Sequence, residues 1–139
     1  MIDKKIKSHK ILVVAGGWSD EREVSLMSGK NVFSCFKKNK FNVNFLDLKK
    51  NNIDQILKYK PDIIFNALHG EFGEDGGLSS FIEKNKITIT HSGPISSALC
   101  FNKRLLKKFL KQELNILSPK EVKYKDGIQF PVIMKPNWG

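Results

Sequence analysis

The feature that most limits the fold of this chain is a regular alternation of short apolar runs with stretches of helical period. "KILVVAGG" (10–17), "FNVNFLDL" (41–48), "DIIFNAL" (62–68) and "ITIT" (87–90) read as strands, and the first is a continuous apolar run ending in two glycines. Between them lie "SDEREVSLMSGKNVFSCFKKNK" (19–40), "NNIDQILKY" (51–59, closed by Pro61) and "GLSSFIEKNK" (77–86), which repeat apolar residues near helical spacing. Strands separated by helices in this way call for an open, mostly parallel sheet with helices on both faces. The expected class is therefore α/β, and in the common strand order strand 1 lies beside strand 3. In the longest helix Val24, Leu26, Met27, Val32, Phe33 and Phe36 make the apolar pattern, and Asp20 with Glu23 has the spacing of a capping box. Gly29 costs about 1 kcal/mol relative to alanine inside a helix, which argues for close packing there.

From Pro94 the character changes. "PISSALCFNKRLLKKFLKQELN" (94–115) reads as one helical stretch with Leu99, Leu105, Leu106, Phe109, Leu110 and Leu114 on one face. "PKEVKYK" (119–125), a turn at "DG" and "FPVIMKP" (130–136) then read as two strands of a different unit. One helix and two strands cannot bury a stable core. The expected organisation is an α/β domain over residues 1–97 and the cut-short beginning of a second over 98–139.

Composition narrows the function classes. With 40% hydrophobic and 27% charged residues the chain is an ordinary globular one. No apolar stretch reaches membrane-spanning length and "MIDKKIKSHK" lacks a signal-peptide core, so the expected location is cytoplasmic. The net charge of +10 is carried almost wholly by lysine, with Arg22 and Arg104 the only arginines. That balance argues against nucleic-acid recognition, which favours arginine's planar fork. Cys35 and Cys100 lack CxxC spacing and are expected to be buried thiols.

In open α/β sheets ligands bind outside the carboxyl ends of the strands. Two polar loops leave such ends: "GGWSDERE" after strand 1 and "HGEFGEDGG" after strand 3. Neither GxxxxGK[ST] nor GxGxxG occurs. Gly16 and Gly17 let the backbone approach a ligand closely, with a helix N-terminus behind them. Glu21, in the first helical turn, has the charge to hold a substrate ammonium group, with Ser25 one turn later to orient it. The plainer reading of Glu21 is an acidic residue favouring a helix N-terminus. His69, immediately before Gly70, can donate to a carboxylate or phosphoryl oxygen or shuttle a proton, or simply be satisfied by the loop backbone. Glu74 and Asp75 lack a His or Cys at ligand spacing, and Asp75 is placed to cap the next helix, so no metal site is expected within the chain. Lys103 at a helix start and Lys135 at a strand end are candidate phosphate ligands that periodicity cannot separate from the other lysines.

Together these stretches resemble the D-alanine:D-alanine ligases, ATP-grasp enzymes of peptidoglycan precursor synthesis. "GGWSDEREVSLMSG" is similar to the family's first-loop signature, with Trp18 where a small residue such as threonine is typical. "ALHGEFGEDGGL" resembles its second signature, and "HSGPISSALCFNK" and "FPVIMKP" follow in the family's order. The resemblance implies that residues 98–139 open the ATP-grasp region. It implies that Glu21 binds the ammonium of the first D-alanine with His69 and Gly70 close to the same substrate, and that Lys103 and Lys135 contact ATP. The implied reaction joins two D-alanines through an acyl phosphate. Mg²⁺ ligands are expected beyond residue 139, the chain alone is expected to be inactive, and the family's habit implies a homodimer. The competing readings are a stand-alone α/β ligand-binding module without turnover and another ATP-grasp carboxylate-amine ligase.

Overall fold

The computed structural model describes residues 7–122 and 127–139. In chain order the elements are β1 (Ile11–Gly16), α1 (Arg22–Lys38), β2 (Val43–Leu48), α2 (Gln55–Lys58), β3 (Ile63–Asn66), α3 (Gly77–Lys84), β4 (Thr88–Ile89), α4 (Pro94–Phe101) and α5 (Lys103–Glu113). The strands form one sheet in the order β2-β1-β3-β4, all neighbours parallel. The expected α/β class is what the chain adopts.

β1 is buried at every residue, which is why it takes the centre: an uninterrupted apolar run satisfies both faces of a sheet only with strands on each side and helices above and below. Its register sets Ile11 against both Val43 and Ile63, so β3 ends with Asn66 beside Val14 while β1 runs on to Gly16 beside Leu48. One face packs Leu12, Val14, Leu46 and Ile64 against Ile56 of α2 and Leu78 and Ile82 of α3. The other packs Ile11, Val13, Ala15 and Val43 against Leu26, Val32, Phe33 and Phe36 of α1. Gly29 lies at the closest approach of α1 to the sheet, where an added Cβ would collide with Ala15 and press on the Phe45 ring.

Several local expectations give way. Helix α1 starts at Arg22 with Glu21 as its N-cap and no side-chain cap, so Asp20 and Glu23 form no capping box. Val24 and Met27 are exposed, because only the Leu26–Phe33 side of the helix meets the sheet. Cys35 and Cys100 are exposed rather than buried. The single helix expected over 94–115 is two, broken at Asn102, whose extended backbone ends α4 and whose side chain accepts from Leu105 N–H at 3.0 Å to start α5. Residues 130–136 form no strand; just past them Trp138 makes an isolated bridge to Asn102. Of "PKEVKYK", residues 119–122 are irregular and 123–125 lie outside the described residues, as does Asp126 of the expected turn.

Candidate functional site

Parallel pairing of β1 and β3 brings the loops 17–21 and 67–76 to the same edge. Gly16 has φ +92°, and a side chain there would run into the Asp47 carboxylate and the Arg22 guanidinium, which fill the space beside the turn. Arg22 Nη2 bonds Asp47 Oδ2 at 2.8 Å while Nη1 donates to Gly17 O at 3.0 Å and Leu48 O at 3.2 Å. One guanidinium thus ties the first loop and the start of α1 to the end of β2, the use for which five donors in a rigid fork suit arginine.

Across the crevice the loops are fastened directly to each other. Ser19 Oγ donates to His69 O at 2.7 Å and accepts from Glu21 N–H at 3.3 Å. Gly70 has φ +68°, and a Cβ there would lie 3.0 Å from Glu21 Oε2 and 3.0 Å from Ser19 Cβ. The Glu21 carboxylate therefore rests on the backbone of Gly70, one residue from His69. His69 Nδ1 is 3.9 Å from Glu74 Oε1, and Glu74 Oε2 accepts the Gly70 N–H at 2.8 Å. Asp75 accepts from Phe72 N–H and Gly77 N–H at 3.0 and 2.8 Å, closing the loop onto the first turn of α3 as a capping carboxylate does, though Gly76 is the formal N-cap. Trp18 packs its ring on Phe72 at 4.7 Å between centroids, a second, apolar fastening of loop to loop.

Ser25 has a different place from the one expected. It is 0% exposed, its Oγ accepting from Gly16 N–H at 2.8 Å and donating to Ala67 O at 2.7 Å. A substrate cannot reach it; it joins the ends of β1 and β3 beneath the crevice. Lys103 is half-buried at the start of α5 and lines a 290 Å³ cavity with Glu74, His91, Ser96 and Cys100. Its own N–H donates to Asn137 O at 2.9 Å and Arg104 N–H to Asn137 Oδ1 at 2.9 Å, which draws the segment carrying exposed Lys135 to the same helix end. Among the described residues no group of three His, Cys, Asp or Glu side chains is arranged to hold a metal ion.

Sequence reasoning found Glu21, His69 and Gly70 together but gave no role to Ser19, Arg22, Asp47 or Glu74. The available signal was chemical: Asp47 is the one charged residue of β2, close to its buried end, and such a charge needs a partner.

Known proteins resemble this chain along most of its length. A D-alanine–D-alanine ligase from Pelagibacter ubique is 41% identical over 141 residues, covering 91% of this chain and 46% of that protein. One from Zymomonas mobilis is 39% identical over 98% of this chain and 43% of its own length. Over most of its length the chain is similar to D-alanine–D-alanine ligases. The crystal structure of the Bacillus anthracis ligase complexed with ATP superposes with a TM-score of 0.70 at 33% identity, over 88% of this chain and 43% of that one. The chain thus spans less than half the length of each of these three ligases. No family model matches it. Among the described residues no helix is long and apolar enough to cross a membrane.

Proposed function

We propose that this chain supplies the first-substrate wall and the opening of the nucleotide site of an ATP-dependent ligase that joins two D-alanines for peptidoglycan precursors. The observation that carries the reading is the Glu21 carboxylate seated on Gly70 beside His69, at the carboxyl ends of β1 and β3. Glu21 is exposed and held at its backbone, so it offers a fixed anion to an α-ammonium group. His69, its ring turned toward Glu74, stands next to the same substrate as a donor to its carboxylate. Holding the ammonium and carboxylate of one amino acid at two points fixes which carboxylate oxygen faces the nucleotide.

The half-buried Lys103, on the wall of a cavity that also reaches Glu74, fits the phosphates of ATP, and Lys135 fits the same group from the segment tied down by Asn137. ATP would supply the γ-phosphoryl group that activates the first D-alanine carboxylate as an acyl phosphate, leaving ADP; attack by the amine of the second D-alanine would then form the peptide bond and release inorganic phosphate and a proton. Among the described residues no group of three or more His, Cys, Asp or Glu could hold a metal ion, and in this reading the magnesium ligands and turnover need the rest of a ligase of full family length.

The test is Glu21→Gln in the ligase of full family length. Loss of one charge-assisted contact is expected to raise the KM for the first D-alanine by about 10-fold or more, with the KM for ATP unchanged. Unchanged D-alanine kinetics would remove Glu21 from the site.

A further inference from the structure

We propose that Ser19 is the positioning residue of this site: its one hydroxyl sets where the Glu21 carboxylate stands relative to His69. The inference rests on the ligase reading above and adds to it a residue that touches no substrate.

A serine hydroxyl has one proton to give and two lone pairs to accept with. Ser19 spends the proton on His69 O at 2.7 Å, a short bond across 50 residues of sequence, and uses an acceptor site for Glu21 N–H at 3.3 Å. The two groups proposed to grip one amino acid are therefore fixed through the same oxygen. Gly70 completes the device, because only a residue without a Cβ lets Ser19 and the Glu21 carboxylate lie against the backbone there.

Ser19 is not what holds the loops folded. Beneath it Ser25 joins Gly16 to Ala67, Arg22 anchors the first loop to β2, and Trp18 stacks on Phe72. Removing the Ser19 hydroxyl should leave those fastenings in place and slacken only the rim. A misplacement on the order of 1 Å at a binding group is enough to degrade orientation heavily.

The experiment is a double-mutant cycle of Ser19→Ala and Glu21→Gln in the full-length ligase, with thermal unfolding measured alongside. Ser19→Ala is expected to raise the KM for the first D-alanine by about 10-fold, leave the KM for ATP unchanged and keep Tm within about 2 °C. If Ser19 acts through Glu21, the double variant is no worse than Glu21→Gln alone. An unchanged D-alanine KM, or effects that multiply, would overturn the proposal. Failure of the ligase reading shows separately, as absence of D-alanine-dependent phosphate release from the wild-type enzyme. The proposal is then decided by NMR on the 139-residue chain: Ser19→Ala should move the Glu21 amide and His69 ring signals and leave those of Gly16 and Ala67 in place. Movement at all four, or at none, would overturn it.

Discussion

At the scale of single residues the site is organised by hydroxyls and one guanidinium, and the acid that would meet substrate is held by them. Ser25 is the deepest of these, fully buried with its oxygen shared between Gly16 N–H and Ala67 C=O. Ser25→Ala leaves a buried donor and a buried acceptor without that partner, and should cost about 1–3 kcal/mol in urea unfolding. A loss within error of zero would mean that water replaces the hydroxyl. The sequence set Glu21 and Ser25 one turn apart and so expected both to face the substrate, because residues four apart share a helix face. It could not say which way the face turns. Helix α1 packs on the sheet through the Leu26–Phe33 side, and that rotation carries Ser25 underneath while Glu21, outside the helix as its N-cap, stays at the rim. The Arg22–Asp47 and Ser19–His69 pairs were invisible for a related reason: their members are 25 and 50 residues apart and meet only after the sheet has formed.

At the scale of elements, local signals decided well wherever burial agreed with propensity. β1 was legible because a run buried at all six positions has one possible use. Gly29 was legible as a packing residue, and its consequence can be measured. Alanine is the better helix former by about 1 kcal/mol, so propensity alone predicts that Gly29→Ala stabilises. The added methyl would collide with Ala15, and overpacking of this kind costs about 1–3 kcal/mol, so the variant should instead unfold at lower urea concentration. A stabilised Gly29→Ala would show that α1 can slide away from the sheet. The helix expected over 94–115 failed at Asn102 because apolar periodicity runs straight through the break; the only cue was a side chain that caps helices, sitting where a new one starts. The strand expected at 130–136 failed differently. Apolar residues make a strand only with a ladder to join, and among the described residues the one bridge here is that of Trp138, just past the segment, to Asn102.

At the scale of the whole molecule, the hydrophobic core and the apolar surface belong to different parts of the chain. Every member of both core clusters, including the flanking side chains, lies between Ile11 and Ile89. Beyond them α5 contributes no buried residue, and Leu105, Phe109, Leu114 and Leu117 join Phe130, Ile133 and Met134 on the surface, the last two 83% and 97% exposed. Exposed apolar surface of this extent marks a face that meets another one. The 139-residue chain is therefore expected to bind ANS and to self-associate with rising concentration, although its sheet unfolds cooperatively. A chain ended after Phe101 keeps both core clusters and should lose most of the ANS signal while its urea transition persists. If the shortened chain instead loses its transition, α5 and the segment around Trp138 stabilise the sheet in a way its packing does not account for. If both chains bind ANS equally, the adherent surface lies on the sheet domain itself, at Val24, Met27 and Ile95.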